Sequence, residues 1–188
     1  MSNLYVDTKN CFTDVQMQNA PICASPLCVM TAVNFSESKI STNPSETLVA
    51  FSIGSGIGVS IYDAVTGVGA VLNFVLPDSA TILLERAKHL LCMFADTGMQ
   101  TLLDALNDIG VKTETMKVVI AGGAHILDQP SRFNIGLKNH EAITDILSRQ
   151  NIVLHHEDIG GCSRRTLSLD IHSGCSTIQT AGQAEVNI

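Results

Sequence analysis

Aromatic and basic residues are scarce in this sequence, and it has no long apolar run. It contains no Trp, two Tyr and six Phe, so a hydrophobic core must be built from aliphatic side chains. Its 11 Lys and Arg are outnumbered by 18 Asp and Glu, and the formal net charge of −7 argues against nucleic acid or an anionic membrane surface as a partner. No apolar run approaches about 18 residues, so membrane insertion is not expected.

Export signals and disulfide patterns are also missing from the sequence. The first ten residues lack the basic start and the apolar run of a signal peptide. No two of the six cysteines form a C-x-x-C pair. We therefore expect a cytoplasmic protein whose thiols are reduced.

The composition indicates one globular domain with flanking segments. A hydrophobic share of 45% in 188 residues is enough to bury one sizeable core. Residues 1–45 are rich in Asn, Ser, Thr and Pro, so they are predicted to be an N-terminal extension of unknown role. The predicted compact domain covers 46–180, and 181–188 are predicted to be a C-terminal tail.

Strand patterns predominate in the compact part. Alternating residues predict a hairpin over 58–77 that turns at Thr66-Gly67. A second hairpin is predicted over 165–180, with its turn at Ser173-Gly174. Turns, rather than regular βαβ crossovers, join most of these strands.

Helical periodicity marks three stretches: 80–94, 96–109 and 139–149. Gly110 is expected to cap the end of the second stretch, and Asn139 to cap the start of the third. The sequence thus predicts an α+β fold, a layered α/β sandwich with mixed, largely antiparallel sheets and two to three packed helices.

Two motifs contain residue types that bind phosphates or metals. The run Gly54–Gly58 resembles a phosphate-binding loop, but Val59 stands where the dinucleotide fingerprint needs glycine, and a strand is predicted next instead of a helix. The adjacent His155 and His156 point to opposite faces of a strand. We therefore expect neither a cofactor nor a metal site.

A third motif, Arg164-Arg165, follows a pair of glycines and has two explanations. Guanidinium groups bind carboxylates, so the pair is suited to a carboxylate ligand. The same groups pair equally well with Glu157 or Asp158 of the chain itself. The sequence leaves both explanations open.

Five segments occur in one order with compatible spacing. They are GSGIGVSIYDAVTGVGAVLNFVLPDS (54–79), FADTGMQTLLDALNDIGVK (94–112), VVIAGGAHILD (118–128), FNIGLKN (133–139) and HEDIGGCSRR (156–165). Together they resemble the CheD family of chemoreceptor glutamine deamidases. The family patterns are G-S-C with A-H-x-x-L-P, then Y-A-D-T, K-I-x-G-G-A, N-I-G-x-x-N and E-D-x-G-G-x-x-x-R.

The resemblance implies a fold, a reaction and partners. It implies a layered α/β sandwich and a chemotaxis protein that hydrolyses glutamine side chains of chemoreceptor helices to glutamate. The implied mechanism uses a Cys nucleophile and a His base. The implied partners are the cytoplasmic helices of a chemoreceptor or a CheC-type phosphatase.

The sequence departs from the family at the catalytic positions. The nucleophile position falls at Gly56 and the base position at Asn73, while a supporting Thr would fall, less surely, at Ala50. Glycine has no nucleophile, and the Asn amide has no basic lone pair that takes a proton near pH 7. We therefore predict a CheD-like protein that has lost deamidase activity and acts by binding.

Two further predictions concern a spare thiol and a docking loop. Cys162 is the candidate for a relocated nucleophile, which would make the chain an active deamidase. The segment 123–137 contains apolar residues in a predicted loop, so Ile126, Leu127 and Phe133 are predicted to bind the partner.

Overall fold

A computed structural model of the chain describes residues 29–81, 90–125 and 134–188. Ten strands and two α-helices lie in these ranges. The strands are β1 (Val29–Ala32), β2 (Glu37–Ser41), β3 (Glu46–Ile53), β4 (Ile57–Asp63), β5 (Val68–Phe74), β6 (Met116–Gly122), β7 (Leu154–Ile159), β8 (Arg165–Asp170), β9 (Ser176–Thr180) and β10 (Val186–Asn187). The helices are α1 (Ala95–Asp108) and α2 (Ile135–Arg149).

The strands form two five-stranded sheets. The first has the order β1-β3-β8-β9-β10, and the second has the order β2-β5-β4-β6-β7. The pairs β1–β3 and β6–β7 are parallel, and all other described pairs are antiparallel. This arrangement confirms the predicted α+β fold with mixed, largely antiparallel sheets.

The second sheet is the middle layer of three. On one face, Ile57 and Val59 of β4 belong to a buried cluster that also contains Met99 of α1 and Ile143 of α2. On the other face, the second sheet packs against the first sheet. A second buried cluster, which includes Leu167 of β8, lies between the two sheets. Alternation along each strand of the middle sheet thus supplies two aliphatic cores.

Both predicted hairpins are confirmed. Strands β4 and β5 pair from Ile57–Phe74 to Asp63–Val68, and Gly67 adopts a φ of 69° in the turn between them. Strands β8 and β9 form the second hairpin, with Gly174 at a φ of 68°. A left-handed backbone at each turn is the conformation that glycine adopts without steric cost.

The helix predictions are confirmed in part. Helix α1 lies within one residue of the predicted range 96–109, and Gly110 follows it with a φ of 87°. The predicted start of the last helix is wrong: α2 begins at Ile135 with Asn134 as its N-cap, so Asn139 lies inside the helix and is buried. Of the predicted helix 80–94, residues 82–89 lie outside the described ranges.

The N-terminal region contributes to both sheets. Strand β1 pairs with β3, and β2 pairs with β5, although both precede residue 46. The boundary at residue 46 and the role of residues 1–45 stay predictions. Among the helices in the described ranges, none combines the length and the apolar character needed to cross a membrane.

Candidate functional site

The loop Gly54–Gly56 joins β3 to β4 and lies beside the end of β5. Gly58 pairs directly with Asn73 across the β4–β5 ladder. Gly56 is two residues before Gly58, which places it about 7–8 Å diagonally from Asn73. The two positions that the resemblance assigns to nucleophile and base therefore lie close together at adjoining strands.

Gly56 approaches the β5 backbone more closely than a residue with a side chain can. A Cβ built on Gly56 would lie 2.5 Å from the carbonyl oxygen of Phe74 and 3.4 Å from Cα of Val75. The first distance is well inside van der Waals contact, and its partner is backbone, which cannot rotate away. The loop is thus fitted to glycine at this position.

Asn73 is closed off from solvent by the turn between β1 and β2. Its exposed fraction is 1%. Its Nδ2 donates to the carbonyl oxygen of Val33 at 3.4 Å, and the N–H of Ser36 donates to the carbonyl oxygen of Asn73 at 2.8 Å. Among the described residues, none provides a hydrogen-bond partner for Oδ1 of Asn73. At the position that the resemblance assigns to the base, the chain thus has a neutral amide packed under a turn.

Ala50 is buried between the two sheets and does not lie at the surface of the Gly54–Gly56 loop. It pairs with Leu167 of β8 and has no exposed area. It belongs to the aliphatic cluster between the two sheets. Without a hydroxyl, it offers no hydrogen bond toward the positions of Gly56 and Asn73.

An open cavity of about 370 Å³ lies at the Gly54–Gly56 loop. Its lining consists of residues from the β1–β2 turn, the end of β3, the β3–β4 loop, the position after β5 and the β7–β8 loop: Phe35, Ser52, Gly54, Ser55, Gly56, Val75 and Arg164. Ser52 has a φ of 53°, at the point where the β3–β8 register shifts. Such a bulge redirects the chain next to a site.

Backbone contacts from the two residues after β6 and a side chain from α2 hold the loop in place. The N–H groups of Gly123 and Ala124 donate to the carbonyl oxygens of Gly56 and Gly54, each at 2.8 Å. Nδ2 of Asn139 donates to the carbonyl oxygen of Ser55 at 2.8 Å. All three loop carbonyls are therefore hydrogen-bonded to the scaffold.

An ion pair between a buried arginine of β8 and a partly exposed aspartate of β7 holds the adjoining β7–β8 loop. Arg165 is 6% exposed; its Nη2 donates to Oδ1 of Asp158 at 2.8 Å, and its Nη1 donates to the carbonyl oxygen of Gly160 at 2.7 Å. The hydrogen bond from Arg165 lowers the pKa of Asp158 below its usual value, against a smaller opposing effect of burial. Of the two explanations for the arginine pair, pairing with a carboxylate of the chain itself therefore applies to Arg165.

The other predicted site residues lie outside this arrangement. Cys162 is an exposed free thiol in the β7–β8 loop, and it does not line the cavity. His155 is exposed and the adjacent His156 is half-buried, as expected for alternating strand residues. In the described ranges, no group of three or more His, Cys, Asp or Glu side chains is placed to hold a metal ion.

The predicted partner-binding residues Ile126, Leu127 and Phe133 lie in 126–133, outside the described residues, so their role stays a prediction. The sequence reasoning missed Phe35, Ser52 and the contacts of Asn139. Only Asn139 gave a signal, because an Asn at the apolar face of a helix needs a partner when it is buried.

Comparisons with known proteins agree with the resemblance seen in the sequence. Residues 75–180 match the family described as CheD chemotactic sensory transduction. This range contains the segments 94–112, 118–128, 133–139 and 156–165.

Curated relatives extend the match over most of the chain. A probable chemoreceptor glutamine deamidase CheD 1 from Syntrophus aciditrophicus is 37% identical over 150 residues, which are 80% of this chain and 93% of the relative. A probable chemoreceptor glutamine deamidase CheD from Solibacter usitatus is 35% identical over 80% of this chain and 89% of its own length. One from Symbiobacterium thermophilum is 35% identical over 83% of this chain and 95% of its own length.

Proposed function

Since this chain belongs to the CheD family, we propose that it is a chemotaxis signalling protein that binds chemoreceptor helices without deamidating them. The close approach of Gly56 to the carbonyl oxygen of Phe74 carries this proposal. The position offers no thiol, and its backbone leaves no room for the Cβ that a thiol requires.

The chemistry of amide hydrolysis explains why this loss is decisive. The base takes the proton of the thiol, the thiolate attacks the glutamine carboxamide carbon, and the C–N bond breaks as ammonia leaves with that proton. Water then hydrolyses the thioester and releases glutamate. Gly56 provides no sulfur for the first step, and the amide of Asn73 provides no base for either step.

The intact scaffold around the cavity supports a binding role. Gly123, Ala124 and Asn139 donate hydrogen bonds to all three carbonyl oxygens of the Gly54–Gly56 loop and so hold it in place. A fixed surface binds a partner at a lower entropic cost than a mobile one. The cytoplasmic helices of a chemoreceptor are the proposed partner, with a CheC-type phosphatase as the second partner that the resemblance implies.

Mass spectrometry combined with a binding assay tests the proposal. The purified protein is incubated with a chemoreceptor cytoplasmic fragment, and the relative from Syntrophus aciditrophicus serves as a positive control for deamidation. We expect measurable binding of the fragment and no mass gain of about 1 Da at its glutamines. Deamidation by this chain, or the absence of binding to both proposed partners, would contradict the proposal.

One contact favours a second candidate function, an active deamidase with a relocated nucleophile. The backbone N–H of His125 donates to the carbonyl oxygen of Gly161 at 2.8 Å. This bond brings an imidazole-bearing residue next to the loop that carries the exposed thiol of Cys162. Deamidation that disappears in Cys162→Ser, but persists in Cys175→Ser, would establish this function.

A further inference from the structure

Arg164 differs from its neighbour Arg165 in burial and in partners. Arg165 is buried and paired with Asp158. Arg164 is exposed, lines the cavity, and makes no hydrogen bond or ion pair with any residue in the described ranges. Arg164 is therefore the arginine that is available to bind a carboxylate ligand, the second explanation that the sequence left open.

Among the described residues that line the cavity, Arg164 is the one that carries a charge. The carbonyl oxygens of Gly54, Ser55 and Gly56 each already accept a hydrogen bond from Ala124, Asn139 or Gly123. The lining also offers the five N–H groups of the Arg164 guanidinium, together with the hydroxyls of two serines.

The charge of Arg164 distinguishes the two forms of a receptor side chain. A glutamine carboxamide presents an oxygen acceptor and an NH₂ group that needs acceptors of its own. A glutamate carboxylate presents acceptors only, and it pairs with a guanidinium through charge-assisted hydrogen bonds. The cavity therefore suits a carboxylate better than a carboxamide.

The shape of the cavity agrees with an aliphatic side chain that ends in a carboxylate. Phe35 forms one wall and is 61% exposed, so its ring is available to pack against methylene groups. Gly56 adds no side chain to the cavity. In a chain with a net charge of −7, an unpaired guanidinium at the rim is the group that attracts a carboxylate.

We propose that the cavity binds the side-chain carboxylate of a glutamate on the partner helix, with Arg164 as its ion-pair partner. This inference rests on the proposed receptor-binding function. It adds that the chain recognises receptor helices after their glutamines have become glutamates. The protein would thus bind the product of the reaction that the curated relatives are named for.

Two versions of a chemoreceptor cytoplasmic fragment test the inference, one with Gln and one with Glu at its modification positions. The full chain is titrated against each by calorimetry at low and at high salt. We expect the Glu version to bind about tenfold more tightly at low salt, and this preference to shrink as salt screens the pair. Arg164→Gln should remove the preference, leaving two similar affinities.

Arg149→Gln is the matched control, because it removes one exposed positive charge that pairs with Asp145 on α2 and does not line the cavity. It should keep the full preference for Glu. Equal binding of both versions by the unmodified chain, or a preference that survives Arg164→Gln, overturns this inference and leaves receptor binding intact. Failure of both versions to bind overturns receptor binding as well.

Discussion

Asn139 donates from Nδ2 to the carbonyl oxygen of Ser55 at 2.8 Å, across 84 positions of the sequence. The same amide donates to the carbonyl oxygen of Val75, also at 2.8 Å. One buried side chain of α2 thus joins the β3–β4 loop to the end of β5, the two backbone segments between which the cavity opens. Asn139 is a positioning residue for this site.

Replacing Asn139 with Ala is expected to lower the free energy of unfolding by about 2–3 kcal/mol. The change removes two hydrogen bonds and leaves two carbonyl oxygens without their donor. Urea unfolding measures the effect. Asn107→Ala, at an exposed position of α1, should change stability by less than about 0.5 kcal/mol, and an equally small effect at Asn139 would show that its contacts do not fix the loop.

Gly56→Ala and Gly56→Cys should destabilise the fold by similar amounts, about 1–3 kcal/mol, because both add a Cβ against the carbonyl oxygen of Phe74. Thermal unfolding of both variants checks this. Restoring Gly56→Cys together with Asn73→His is therefore not expected to restore deamidation. A neutral Gly56→Ala would mean that the loop yields easily and that a thiol would fit.

Gly136→Ala tests how α2 docks on the loop after β6. In most helices this exchange stabilises by about 0.5–1 kcal/mol. Here a Cβ at Gly136 would collide with the carbonyl oxygen of Gly123, so we expect a net loss of about 1–3 kcal/mol. Ser148→Ala, at an exposed position of the same helix, should be neutral or slightly stabilising. If Gly136→Ala also proved neutral or stabilising, the close approach of Gly123 to Gly136 would not constrain how α2 docks.

Acid should weaken the fold through Asp158. Its folded pKa lies below the unfolded value of about 3.9, because Arg165 donates to the carboxylate. The pair therefore contributes its full stability above about pH 5, and the contribution disappears as the pH falls through the lower folded pKa.

Comparing Asp158→Asn with the unmodified chain isolates this effect. At pH 7 the variant should lose about 2 kcal/mol, less than a fully buried pair would lose, because solvent screens the partly exposed carboxylate. The difference should narrow as the pH falls from about 5 through the folded pKa. Asp145→Asn, which breaks an exposed pair with Arg149, should show a small difference at every pH, and the same flat profile for Asp158→Asn would contradict the prediction.

Local patterns predicted much of the fold. The alternation of residues 58–77 and the glycine at its turn determine a hairpin without reference to the rest of the chain. Helix α1 was also predictable, because its apolar face is continuous and Gly110 ends it. The start of α2 was not, since Gly136 in its first turn disfavours a helix unless another backbone must approach closely, as Gly123 does.

The site was predictable only as a set of motifs. The resemblance gave Gly56 and Asn73 as candidate positions, but the sequence could not show that the β1–β2 turn covers Asn73. It also could not decide which arginine pairs with Asp158, because that depends on where β8 begins. Arg165 is the first residue of the strand and is buried, whereas Arg164 precedes the strand and faces the cavity.

Because the loop is fitted to glycine, replacing a larger residue with glycine at position 56 and replacing glycine with a larger residue have different effects on stability. Removing a side chain there requires no accommodation, because the bonds from Gly123 and Ala124 reach backbone carbonyls that every amino acid possesses. Adding a side chain at Gly56 requires the backbone of β5 to move away from the loop, because a Cβ would collide with the carbonyl oxygen of Phe74. If Gly56→Cys has the predicted cost, introducing a thiol at this position lowers stability before it adds any chemistry.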